Sequence, residues 1–173
     1  VIVSGVDEEI EAASTESLVL TLAENKATEV AYGIDDGVVI GCDSLLEVGG
    51  KRHGKPESID IARQYWHEMA GKTATLMTGH CIFDRPSDRV ASAVIKTKVT
   101  FGRPTPSELE RYFETSESLY CAGGFTLEGF GSSFVESVNG DALNVMGLSP
   151  ATIRRLLLEL GIPLTTLWLS GER

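Results

Sequence analysis

The residues best suited to chemistry lie between Val38 and Pro56, in the stretch VVIGCDSLLEVGGKRHGKP. It begins as a hydrophobic run with the β-branched content of a buried strand, and it places a carboxylate, Asp43, where the apolar pattern loosens. Gly49-Gly50 reads as a tight hairpin turn. That turn would return the chain so that Lys55, fixed ahead of Pro56, comes back near the strand it left. An acid and a lysine sharing one cleft are the minimum for handling a phosphate and its metal: oxygen ligands for a hard cation and a point positive charge for the anion. The same residues admit a plainer reading, with Asp43 as a turn-former or helix cap and Lys55-Pro56 as an ordinary loop pair.

Composition bounds what such a site could serve. The 173 residues, 42% hydrophobic and 23% charged, suit one ordinary globular domain with a real core. A formal net charge of -10 argues against a protein that coats nucleic acid, because such binding relies on clustered Lys and Arg. A small phosphorylated substrate stays open, since a divalent cation and a few local basic residues offset the global repulsion. The sequence holds no apolar run long enough to span a membrane and no basic-then-apolar leader, although it starts at Val1 rather than Met. Cys42, Cys81 and Cys121 form no CxxC pair, so free thiols in a reducing cytoplasm are expected. His53, His67 and His80 lack the spacing of a zinc site.

The elements that must position these residues follow from periodicity and caps. The opening VIVSGVDEEIE reads as the end of a strand running into an acidic turn, with Asp7, Glu8 and Glu9 as a solvated face. From Thr15 to Tyr32, apolar residues recur at three- and four-residue steps, the mark of an amphipathic helix capped by Thr15 or Ser17. A second helix is expected from Ser58 to Met69, ended by Gly71. LMTGHCIFD and RVASAVIKTKVTF flank an Arg-Pro-Ser-Asp turn as two antiparallel strands. Thr105-Pro106-Ser107-Glu108 is a capping box with proline at the first helical position, opening a helix to about Glu114. The glycine-dense region from Cys121 to Leu148 predicts loops and short strands around a concave surface, and it is neither a P-loop nor a dinucleotide fingerprint. Ser149-Pro150 starts a final helix from Thr152 to Leu160, stopped by Gly161.

Several of these segments, taken together and in order, resemble the Maf family of nucleoside triphosphate pyrophosphatases, the septum formation Maf-like proteins, in an actinobacterial form. They are Gly41-Cys42-Asp43-Ser44, Gly54-Lys55-Pro56, GKTATLMTG, TKVTF, CAGGFTLEGFG and NGDALNVMGLS, spread from about Val6 to Leu160. The resemblance implies an α/β fold: a twisted mixed β-sheet flanked by helices, in two lobes with a central cleft, as a single domain over 1–173. It implies hydrolysis of a nucleoside triphosphate between the α- and β-phosphates, with Mg²⁺ or Mn²⁺ as cofactor. Asp43 would be the catalytic proton acceptor or the orienter of the attacking water, and Glu8 with Asp43 would hold the metal. Lys26, on residues alone an ordinary surface lysine, and Lys55 would face the phosphates, while Ser44 and Glu128 would tune base recognition. A cytoplasmic homodimer that binds neither nucleic acid nor membrane is the expected setting.

Two departures matter. Family members open with a strand and a Ser-x-Ser-Pro-Arg-Arg loop whose arginine contacts the triphosphate, and this sequence contains no such motif. The branch acting on dTTP and UTP reads Lys-Ala-Gly then Gln-Gly, whereas here Cys121-Ala122-Gly123 is followed by Glu128-Gly129, closer to the branch acting on 7-methylguanosine triphosphate. A carboxylate accepts hydrogen bonds from the N1–H and 2-amino edge of guanine and repels a pyrimidine's carbonyl oxygens, a physical reason for Glu128 to favour a guanine-like base. The competing reading is a non-catalytic nucleotide-binding regulator of septum formation and cell division.

Overall fold

In the computed structural model of the chain, which describes residues 1–8 and 10–168, the first regular element is helix α1 (Thr15–Tyr32). Residues 1–8 form no strand, contrary to expectation; Val1, Ile2 and Val3 are exposed and belong to no ladder. Glu9 lies outside the described residues. The cap of α1 is Ser14, one residue before the expected Thr15. Its hydroxyl accepts from the Ser17 N–H at 3.0 Å, and the Ser14 N–H donates to the Ser17 hydroxyl at 3.1 Å. This is a capping box with serine where Glu or Gln is usual.

Five strands follow the order β2-β1-β3-β4-β5 in one sheet: β1 (Val38–Val48), β2 (Lys51–His53), β3 (Thr73–Asp84), β4 (Arg89–Phe101) and β5 (Val135–Asn139). The β1/β2 and β4/β5 pairs are antiparallel. Val48 faces Lys51 across the Gly49-Gly50 turn, whose φ values of 57° and 81° suit only a turn with positive φ at both central residues. The hairpin thus forms where the sequence placed it. A single 3-10 turn, Arg85–Ser87, joins β3 to β4. The remaining helices are α2 (Ile59–Met69), α3 (Pro106–Phe113), α4 (Ala142–Val145), α5 (Pro150–Glu159) and α6 (Leu164–Leu167). Thr105 caps α3 in the expected box with Glu108, and Ser149 caps α5.

The chain divides into two compact units. The first holds Val1–Asp43, Thr78–Ile95 and the residues from Leu148 onward. One of its cores gathers Ile82, Ala91, Ile153, Leu156, Leu157 and Leu160 between the strands and α5. Within it, His80 is fully buried and satisfied: its Nδ1 is 3.1 Å from the Thr78 carbonyl, and its Nε2 accepts from the Ser149 N–H at 2.9 Å. The ring therefore carries its proton on Nδ1 and ties the start of α5 to β3.

The other core of this unit is a stripe of small residues. Ala23, Ala27 and Ala31 recur every four positions on α1, are wholly buried, and meet Cys81 and Phe83. With no bulk on either side, helix and strand backbones touch. A Cβ added at Gly41 of β1 would stand 2.3 Å from the Ala23 carbonyl oxygen, and one at Gly79 of β3 would stand 2.1 Å from that of Val19.

The second unit, Ser44–Met77 and Lys96–Gly147, has an aromatic core. Trp66 of α2 meets Phe101 and Phe134 edge to face, with centroids 5.6 and 5.4 Å away, and its indole N–H donates to the Gly124 carbonyl at 3.0 Å. In the glycine-dense region the expected loops hold the 3-10 turns Ala122–Gly124 and Phe130–Phe134, the expected short strand is β5, and a further 3-10 turn, Glu117–Tyr120, precedes the region. Gly123, with φ of 74°, lies so close to β1 that an added Cβ would be 2.4 Å from Leu46 Cδ2.

Replacing Gly41 with alanine therefore should cost about 2 kcal/mol or more, because the clash is with backbone that cannot rotate away. Gly33→Ala, at φ of -86° with nothing nearer than 3.4 Å to the new methyl, should change stability by less than about 1 kcal/mol. Paired urea unfolding curves check the contrast, and equal midpoints would refute the close approach.

Candidate active site

Lys26 leaves α1 beside the small-residue stripe, one position before Ala27, where the helix lies closest to β1. Two residues along β1 from Gly41 comes Asp43. The lysine ammonium sits 2.6 Å from Asp43 Oδ1 and 2.6 Å from Glu8 Oε1. Lys26, from the preceding helix, is thus a lysine that meets Asp43. Burial works against its charge, but the hydrogen bonds to Asp43 and Glu8 hold its pKa above the ordinary lysine value. Lys26 stays a cation throughout the neutral range.

The two carboxylates differ in their access to water. The Asp43 side chain is 12% exposed and that of Glu8 is 63% exposed. One is withdrawn and held; the other is open to a ligand. Both present hard oxygen donors to one shared positive charge, which is the chemistry a magnesium-type cation requires, since Mg²⁺ commonly uses one or two carboxylates and completes its shell with water and substrate phosphates. Among the described residues no group of three or more His, Cys, Asp or Glu side chains is gathered as a metal cage. The pair fits a cation that substrate helps to hold.

Ser44 follows Asp43 on β1, half-buried. Lys55 and Glu128 are exposed, lie in the second unit, and are not members of the Lys26 ion pair. Within that unit they approach a common neighbour. The Gly123 N–H donates to the Gly54 carbonyl at 2.9 Å, and a Cβ at Gly124 would be 3.3 Å from Pro56, so the Cys121–Gly124 segment lies against Gly54-Lys55-Pro56. The Cys121 thiol is pushed up first by burial and then by the Glu128 and Glu117 carboxylates, with Lys55 opposing. In the same unit TKVTF and NGDALNVMG meet each other: the Thr97 hydroxyl donates to the Asp141 carbonyl at 3.0 Å and accepts from the Asn144 amide at 3.1 Å.

One arrangement had no sequence signal. Glu117 Oε1 accepts from the Thr126 hydroxyl at 2.5 Å, the Gly131 N–H at 2.9 Å and the Tyr112 hydroxyl at 3.2 Å, while Oε2 accepts from the Phe130 N–H at 2.8 Å. The Thr126 hydroxyl in turn accepts from the Gly129 N–H at 3.0 Å. These partners lie at irregular separations, so no periodicity marks them. Their only trace is the glycine pair: a Cβ at Gly129 would stand 2.3 Å from Glu117 Oε2, and one at Gly131 would stand 2.8 Å from the Tyr112 hydroxyl.

The family model for Maf-like protein matches residues 1–160, and the chain belongs to the Maf family. A Streptomyces avermitilis protein named nucleoside triphosphate pyrophosphatase is 46% identical over 100% of this chain and 85% of its own length. Proteins of the same name from Streptomyces coelicolor and Rhodococcus erythropolis are 45% and 44% identical, over 99% and 96% of this chain and 85% and 84% of theirs. Among the described residues no helix is long and apolar enough to cross a membrane.

Cys42, beside Asp43, is pushed up to about 12 by burial and by the Asp43 carboxylate, with Lys26 partly opposing; Cys81 rises to about 12 through burial, Glu24 and Cys42. At pH 8 a thiol of that pKa is about 0.01% thiolate. Iodoacetamide at pH 8 should leave both unmodified in the native protein and label all three cysteines in denaturant. Rapid native labelling of Cys42, seen by peptide mass spectrometry, would contradict the raised pKa of its half-buried thiol.

Proposed function

We propose that this chain is a nucleoside triphosphate pyrophosphatase, releasing a nucleoside monophosphate and pyrophosphate. Membership of the Maf family and relatives bearing that name support the activity. The single observation that supports the site is the Lys26 ammonium held at 2.6 Å by both Glu8 and Asp43.

Asp43, withdrawn from solvent yet anchored by Lys26, orients the attacking water and takes its proton. The water oxygen bonds to the α-phosphorus, and the bond from that phosphorus to the α,β-bridging oxygen breaks. Pyrophosphate leaves with the bonding pair. The transition state asks for positioning and charge neutralisation more than covalent chemistry. Lys26 and Lys55 supply fixed positive charge to the phosphate oxygens. Glu8 and Asp43 are the residues that would hold Mg²⁺ or Mn²⁺, which when bound supplies Lewis-acid neutralisation of the phosphates. Ser44 and Glu128 read the base, Glu128 by accepting from a guanine-like edge. A homodimer in the cytoplasm, acting on free nucleotides rather than nucleic acid or membrane, completes this reading.

Pyrophosphate release from a panel of canonical and modified nucleoside triphosphates, with Mg²⁺ or Mn²⁺, tests it. Asp43→Asn should lower kcat by about 100-fold or more while nucleotide binding persists. An active Asp43→Asn enzyme would remove Asp43 from the chemistry. Binding without release from any nucleotide would favour the regulatory reading.

A further inference from the structure

Glu128 is poorly placed to fix its own position. It is exposed, and its carboxylate accepts from the adjacent Leu127 N–H at 3.2 Å, a bond that moves with the loop. What holds the loop is on both sides of it. Thr126, two residues before, donates its hydroxyl to Glu117, and the N–H groups of the three residues after, Gly129, Phe130 and Gly131, end on Glu117 directly or through Thr126. Successive backbone amides that converge in this way form an anion-binding concavity. Here the anion is a side chain of the same unit.

We propose that Glu117 is the positioning residue for Glu128, fixing the backbone on either side of it and so setting the discrimination between bases. This rests on the reading of Glu128 as the base-recognising carboxylate. Burial opposes the Glu117 charge, but the hydrogen bonds from Thr126, Gly131, Phe130 and Tyr112 overcome it and hold the carboxyl below its ordinary range. The anion therefore persists at neutral pH, and its bonds to the amides are of the stronger, charge-assisted kind. Glutamine at 117 would lose the charge and turn an N–H₂ donor toward N–H donors. Alanine would leave the amides without an acceptor.

The test compares kcat/KM for a guanine-type and a pyrimidine nucleoside triphosphate in the wild type, Glu117→Gln, Thr126→Val, Glu128→Gln and the Glu117→Gln/Glu128→Gln double variant. Glu117→Gln should compress the selectivity ratio about tenfold, in line with losing hydrogen bonds to a charged group. The change should fall on KM, with kcat within about threefold. Thr126→Val, which removes one link and leaves the carboxylate in place, should shift the ratio in the same direction by less, and it carries the test if Glu117→Gln does not fold. Amide exchange at Gly129, Phe130 and Gly131 should quicken in both. In the Glu128→Gln background, Glu117→Gln should leave the ratio where it is. An undiminished shift in that background, or an unchanged ratio in both single variants at Glu117 and Thr126, overturns the inference alone. A wild-type ratio in Glu128→Gln overturns the assignment of Glu128 and this inference with it.

Discussion

The close approach of one helix to two strands is the constraint on which the rest of the charge cluster depends. α1 can lie on β1 and β3 because Gly41 and Gly79 offer no side chain and Ala23, Ala27 and Ala31 offer very little. Any larger residue at either glycine would lift the helix. Lys26 would then lose Asp43, because a 2.6 Å contact tolerates little displacement before it becomes water-mediated. Close packing and electrostatics are therefore one problem here: small residues bring the backbones together, and the lysine at the edge of that contact inherits its position.

A shared ammonium between two carboxylates also explains how a chain of net charge -10 can be prepared for a polyanion. Uncompensated, Glu8 and Asp43 would repel a triphosphate and each other. With Lys26 between them the local excess of negative charge falls by one unit, and a divalent cation on the same oxygens would take it further. At 2.6 Å, interactions in a partly buried setting greatly outweigh the screened contribution of distant surface charge. The local arrangement thus decides, and the global sign matters little.

Much of the scaffold was legible in the sequence because its signals are local. The Gly49-Gly50 turn, the Thr105 capping box, the Ser149-Pro150 helix start and the alternation along β4 are all written within a few residues of where they act. The region after Cys121 was read as loops and short strands, and β5 is such a strand, but its 3-10 turns were not foreseen because their partners, Gly54 and Glu117, lie well back along the chain. At the site, Asp43 was visible as a charge at the end of a hydrophobic run, but Lys26 and Glu8 had no such mark. Lysine on a helix and an acidic run are ordinary surface features until tertiary packing brings them to one place. From proximity along the chain, the hairpin argument brought Lys55 back toward the strand it left, whereas Lys26 reaches Asp43 only through the packing of the preceding helix, which no local pattern announces.

Glu117 bears on a last question, whether a loop so rich in glycine has amides to offer an external anion. Glycine-dense turns that expose successive N–H groups are common phosphate cradles. In this one, the amides of Gly129, Phe130 and Gly131 are already terminated by the protein's own carboxylate or by the threonine bound to it. A phosphate would have to displace a hydrogen-bonded anion and then tolerate its charge nearby. The glycines are required for a different reason, to let that carboxylate reach the backbone, as the 2.3 Å clash at Gly129 indicates. Glycine content by itself therefore does not distinguish a loop that binds an external anion from one that has folded around an internal one. The difference lies in whether an acidic side chain already fills the concavity, and here Glu117 does.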